Sequence, residues 1–106
     1  MRGWIGVDLD GTLAKYDGWQ GEKHIGEPIG PMVRRVQKWL TEGKNVKIFT
    51  ARMSKNKNGV EKIIKRWCKQ HIGRELEVTN VKDFGMIELW DDRAIQVKKN
   101  TGRIIK

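Results

Sequence analysis

The sequence predicts an α/β sandwich built on a mainly parallel sheet. Short apolar runs at 3–8, 46–49, 76–78 and 87–90 read as strands. Two stretches between them carry apolar residues at helical spacing. The order strand, helix, strand, helix, strand leaves crossovers that suit parallel pairing.

The elements follow in order. Residues 3–8 are the first strand, and Gly11 permits a sharp turn just past it. Residues 14–30 hold Gly18, Gly21, Gly26, Pro28 and Gly30, which marks an irregular flap or small hairpin. Pro31 suits the first turn of a helix, whose apolar stripe is Met32, Val33, Val36, Trp39 and Leu40, and Gly43 ends it. Val46–Phe49 is the second strand, followed by a polar loop over 53–58. Val60, Ile63, Ile64, Trp67 and Cys68 mark the second helix face, stopped by Gly73. Leu76–Val78 and Ile87–Trp90 are the third and fourth strands. Ala94–Val97 and Arg103–Ile105 form a hairpin around Asn100, Thr101 and Gly102.

With 106 residues, the chain fits one domain, spanning 1–106. Charged residues at 33% and hydrophobic ones at 38% fit a folded globular protein. The formal net charge of +9 favours phosphate-bearing or other acidic partners without fixing a fold. Cys68 is the only cysteine, which excludes an internal disulfide and a cysteine-cluster zinc site and suits a reducing cytoplasm. No apolar run approaches the roughly 20 residues of a membrane span, so no membrane partner is expected. No segment reads as a secretory signal.

The chemistry-bearing residues gather at strand ends: Asp8 and Asp10, then Thr50, then Lys82, then Asp91 and Asp92. Side chains alternate along a strand, so Asp8 and Asp10 share a face if extension continues. Ligands of open α/β sheets bind outside the carboxyl ends of the strands. Taken singly, each residue has a plain structural reading. A strand-terminal Asp forms turns, Thr50 or Thr12 caps a helix or turn, and a lone Lys or acidic pair is a solvated charge. Together the pattern is more specific. Carboxylates of Asp8 and Asp91 at adjacent strand ends need a cation between them, and hard oxygen ligands suit Mg²⁺. Asp8 could then attack phosphorus as a carboxylate nucleophile. Asp10 could protonate the leaving oxygen and later deprotonate water. Thr50 could donate to a phosphoryl oxygen, and Lys82 could offset charge there.

At motif level the whole chain resembles the haloacid dehalogenase superfamily of phosphohydrolases. Val7-Asp8-Leu9-Asp10-Gly11-Thr12 resembles its first motif, Ile48-Phe49-Thr50 its second, Lys82 in Thr79-Asn80-Val81-Lys82 its third, and Leu89-Trp90-Asp91-Asp92 its fourth. The resemblance implies a Rossmann-like three-layer sandwich and a phosphatase working through an aspartyl-phosphate. It also implies Mg²⁺ held by the Asp8 carboxylate, the Asp10 backbone carbonyl and an acidic residue of the fourth motif. Asp91 is the expected direct ligand, with Asp92 acting through water or as a helper. Family members often carry a cap domain. Here the intervals between motifs leave room only for the 14–30 flap, so the chain is expected to be capless and its site open.

The expected substrate is a phosphorylated small molecule or nucleotide, with nucleic-acid ends as an alternative that the open site and positive charge admit. Arg52 and Thr12 are candidate substrate contacts, Arg52 for gripping phosphate or as a plain surface charge. Lys55, Lys57, Lys62, Lys65, Arg66 and Lys69 read either as a solvated helix face or as a phosphate-backbone track. Trp19, Tyr16 and His24 lie in the flap, where they either touch substrate or pack and solvate it. A basic nucleic-acid-binding module with a vestigial site is a second class of function. Other classes fit less well. A phosphorelay receiver places its acidic pair before the phosphoacceptor, whereas Asp91 and Asp92 come late. A calcium loop starting at Asp8 requires Glu where Trp19 stands. No Gly-rich loop with Lys-Ser/Thr occurs.

Overall fold

The computed structural model describes residues 3–54 and 57–105. Strand β1 (Trp4–Val7) leads through the flap to helix α1 (Gly30–Thr41). Strand β2 (Val46–Phe49) follows, then helix α2 (Lys57–His71), β3 (Glu77–Thr79) and β4 (Met86–Trp90). The four strands form one parallel sheet in the order β3-β2-β1-β4. This is a Rossmann-like α/β fold without a cap.

Register explains where the core lies. Ile5 pairs with Val46, and Val7 pairs with Ile48 and, on the other side, with Trp90. Ile48 pairs with Val78. In-register neighbours point the same way, so these side chains form one apolar face. Met32, Val33, Val36 and Trp39 of α1 and Val60, Ile64, Trp67 and Cys68 of α2 join them in a single core. Fully burying each such side chain is worth about 1.5–3 kcal/mol. Both helices therefore cover the same face, as two successive right-handed crossovers in one direction require. The opposite face carries Lys47 and Leu89 in register with Gly6, and among the described residues no helix covers it. The β3-to-β4 connection is too short to hold one. There Trp4 is buried beneath the Lys47 ammonium, 4.6 Å from its ring centre, and its Nε1 donates to Asp83 at 2.9 Å.

Local signals place the element ends. Gly43 has φ +82°, which lets its N–H reach Leu40 O while Lys44 N–H reaches Trp39 O, closing α1. The flap is a hairpin at its base: Lys15 N–H donates to Glu27 O and Ile29 N–H to Leu13 O, both at 2.8 Å. The expected loop over 53–58 is shorter in the structure. A 3₁₀ turn covers Ala51–Ser54, anchored by buried Met53, and α2 has begun by Lys57. Residues 55 and 56 lie outside the described residues. The C-terminal pair closes through Lys98 N–H to Arg103 O and Ile105 N–H to Gln96 O, with Asn100 at φ 65° in the turn. It amounts to one isolated bridge, Val97 to Ile104, rather than two strands. Burial pushes the Cys68 thiol up to about 12, so it is an inert core group.

Candidate metal and phosphoryl site

The sheet order makes β1 the switch point, because the chain leaves it toward β2 on one side and reaches β4 on the other. Val7 is in register with Trp90, and the Asp8 N–H continues the ladder by donating to Trp90 O at 2.9 Å. The next residue on each strand is therefore acidic, Asp8 on β1 and Asp91 on β4. One carboxylate oxygen from each of Asp8, Asp91 and Asp92 lies within 4.8 Å of the others, the one such group among the described residues.

That crowding has an electrostatic consequence. The Asp8 carboxyl is pushed from its ordinary 3.8 up to about 7. Burial is the largest cause, followed by the charge of Asp91, then a side-chain hydrogen bond with Asp92 and the charge of Asp92; the Leu9 N–H opposes them.

Two local devices hold Asp92. Its backbone N–H donates to Thr12 Oγ1 at 2.9 Å, and Thr12 Oγ1 donates to Asp92 Oδ1 at 3.2 Å. Thr12, expected to touch substrate, thus ties the turn after β1 to the end of β4. Gly11 has φ +93°, and a Cβ there would stand 2.5 Å from Asp92 Oδ2. Asp91 Oδ1 accepts from the Arg93 N–H at 2.7 Å, which turns the chain away from β4.

The Asp10 side chain lies outside the acidic cluster. Arg52 Nε donates to its Oδ2 at 2.7 Å and Arg52 Nη2 to its Oδ1 at 2.8 Å. Arg52 therefore does not stand free to grip a phosphate; both arms of its fork are on Asp10. Nη2 also donates to His24 O at 2.9 Å and Nη1 to Glu22 O at 3.3 Å, and the guanidinium lies 4.9 Å from the centre of the Trp19 ring.

Thr50 is buried at the end of β2, where its N–H donates to Thr79 O. Its Oγ1 accepts the Arg52 N–H at 3.1 Å. An open cleft of about 700 Å³ brings Asp8, Asp10, Thr50, Arg52, Asp91 and Asp92 together. Lys82 is not among its lining residues; the chain turns outward after Thr79, whose Oγ1 accepts the Val81 N–H, and Lys82 is exposed. Asn80 and Arg93 line the cleft instead, unforeseen from the sequence, although Arg93 directly follows the acidic pair. Trp19 and Tyr16 line it from the flap. On α2, Lys62, Arg66 and Lys69 are exposed and Lys65 pairs with Glu61 at 3.1 Å, while Lys55 and the side chain of Lys57 lie outside the described residues.

No protein-family model matches the chain, and no curated protein does. Among solved structures the chain is similar to a conserved protein coded by a locus of Bacteroides thetaiotaomicron. The TM-score is 0.65 at 20% identity, over 89% of this chain and 78% of that one. That likeness shows the fold. The described helices include none long and apolar enough to cross a membrane.

The donor set itself says which metals fit. Three carboxylates and no thiol or imidazole suit a hard cation such as Mg²⁺. The raised Asp8 carboxyl is compatible with this: burial raises it most, and a cation would offset the further push from the charges of Asp91 and Asp92.

Proposed function

We propose that this chain is a Mg²⁺-dependent phosphomonoester hydrolase that works through an aspartyl-phosphate on Asp8. The observation that carries the reading is the convergence of Asp8, Asp91 and Asp92 at the carboxyl ends of β1 and β4. Asp8, Asp91 and Asp92 would hold the metal, which when bound offsets charge on the phosphoryl group and keeps the carboxylates ionised.

The chain's own residues divide the work. An Asp8 oxygen attacks phosphorus and the ester oxygen leaves, taking a proton from Asp10. Asp10 then removes a proton from water, which attacks the phospho-Asp8 and releases inorganic phosphate. The Thr50 hydroxyl, with its oxygen fixed by the Arg52 N–H, has its proton to give to a phosphoryl oxygen. Arg93 on the cleft wall adds positive charge. A cytoplasmic setting fits the single reduced thiol.

The substrate is a phosphorylated small molecule or nucleotide. A 3′-phosphorylated polynucleotide end is the second reading, favoured by the open cleft and the net charge of +9. Phosphate release from p-nitrophenyl phosphate with Mg²⁺ tests the main claim: the parent should turn over, chelator should stop it, and Asp8→Asn should abolish it. Equal rates for Asp8→Asn and the parent would remove Asp8 as nucleophile. A steep salt penalty for 3′-phosphorylated oligonucleotides, absent for mononucleotides, would favour the polynucleotide reading.

A further inference from the structure

We infer that Arg52 is a positioning residue that fixes the carboxyl group of Asp10 and ties the flap to it, an inference that rests on the phosphatase reading above. Asp10 has to hand a proton to one particular oxygen, so its aim matters as much as its chemistry. A carboxyl group held by a single bond still rotates. The two Arg52 bonds, at 2.7 and 2.8 Å, hold both oxygens in one plane. The Arg52 side chain is only 6% exposed and that of Asp10 20%, so water competes little for either.

The location of the pair supports this role. Asp10 and Arg52 line the acidic cleft with Asp8 and also a second cleft of about 470 Å³ beneath the flap. The pair therefore stands on the border between the two clefts. Arg52 owes its own placement to both sides of that border. Its backbone N–H is on Thr50 Oγ1, while its guanidinium reaches the flap carbonyls of Glu22 and His24 and faces Trp19. Lysine can supply one such arm but not the fork.

Leaving groups provide the test. An aryl phosphate expels a stable phenolate and needs little help from an acid, whereas an alkyl phosphate needs its oxygen protonated. Parent, Arg52→Ala and Arg52→Lys are assayed with Mg²⁺ on p-nitrophenyl phosphate and on a simple alkyl phosphate, with melting temperatures recorded. Hydrogen exchange at flap residues 16–24 is followed in the same proteins without substrate. Arg52→Ala should lower kcat on the alkyl ester about 100-fold and on the aryl ester less than about 10-fold, in line with the size of a misplaced or missing acid. Arg52→Lys should recover part of the alkyl rate, and flap amides should exchange faster in Arg52→Ala. Equal losses on both esters would overturn the positioning role. Unchanged flap exchange would overturn the tie to the flap. A parent inactive on both esters would instead sink the phosphatase reading, and this inference with it.

Discussion

Asp8 and Asp10 are two residues apart in sequence and sit in opposite electrostatic surroundings. Asp8 faces two other carboxylates, and burial and that repulsion together push it up to about 7. Asp10 faces a guanidinium bonded to both its oxygens. The strand ends at Val7, and past it each side chain goes where its own neighbours draw it. One aspartate is left short of positive charge and the other is supplied with it. On the proposed reading the first would be a place for a cation, and the second is a group held in a set orientation.

The sharpest way to break this contrast is to make both residues amides. Each substitution should abolish or cripple turnover, but stability should move in opposite directions. Asp10→Asn leaves Arg52 without its charged partner and should destabilise the fold by about 1–3 kcal/mol, the range for losing hydrogen bonds between charged groups. Asp8→Asn removes a repelling charge and should raise the melting temperature of metal-free protein at pH 8. Denaturant melts of the two variants check both signs.

The pH dependence sharpens the same point. The unfolded chain releases the Asp8 proton near 3.8, whereas the metal-free folded protein keeps it to about 7. Between those values the native state binds more protons than the unfolded one, so the contribution of Asp8 to stability should be greatest at the acid end and be lost as pH rises through about 7. Asp8→Asn should flatten that slope. Metal acts in the reverse sense: Mg²⁺ must displace the proton, so its binding should weaken as pH falls below about 7.

Smaller effects come from the residues that hold Asp92. Gly11→Ala forces a side chain into φ +93° and against the Asp92 carboxylate, and should cost about 1–2 kcal/mol together with metal affinity. Thr12→Val removes both hydrogen bonds to Asp92 and should weaken Mg²⁺ binding about 10-fold, as loss of a ligand's supporting partner does. The smallest change in stability, within about 0.5 kcal/mol, is expected for exposed Lys82→Ala, whose turnover should match that of the parent.

Much of the acidic cluster was legible in the sequence because it depends on short-range facts. An apolar run ending in Asp8 and another ending in Asp91 need only pair in parallel for the two carboxylates to meet, and Gly11 signals the turn between Asp8 and Thr12. Both helices were legible from their apolar spacing. The partner of Asp10 was not legible. Arg52 lies 42 residues away and reaches Asp10 from the turn after β2, while the flap path that brings Trp19, Glu22 and His24 to it leaves no periodic trace. The one-sided helix layer was hidden for a different reason: it follows from strand order, and runs as short as Glu77–Thr79 do not reveal their neighbours. Lys82 illustrates the limit of motif spacing, since the outward turn after Thr79 sets its side chain on the surface.

The central claim, that Asp8, Asp91 and Asp92 form one site for a divalent cation, is tested most directly by calorimetric titration of Mg²⁺ into parent, Asp8→Asn and Asp91→Asn at pH 8. A single saturable site is expected in the parent, and its loss in both variants. Binding of equal strength in all three proteins, or none in the parent, would contradict it.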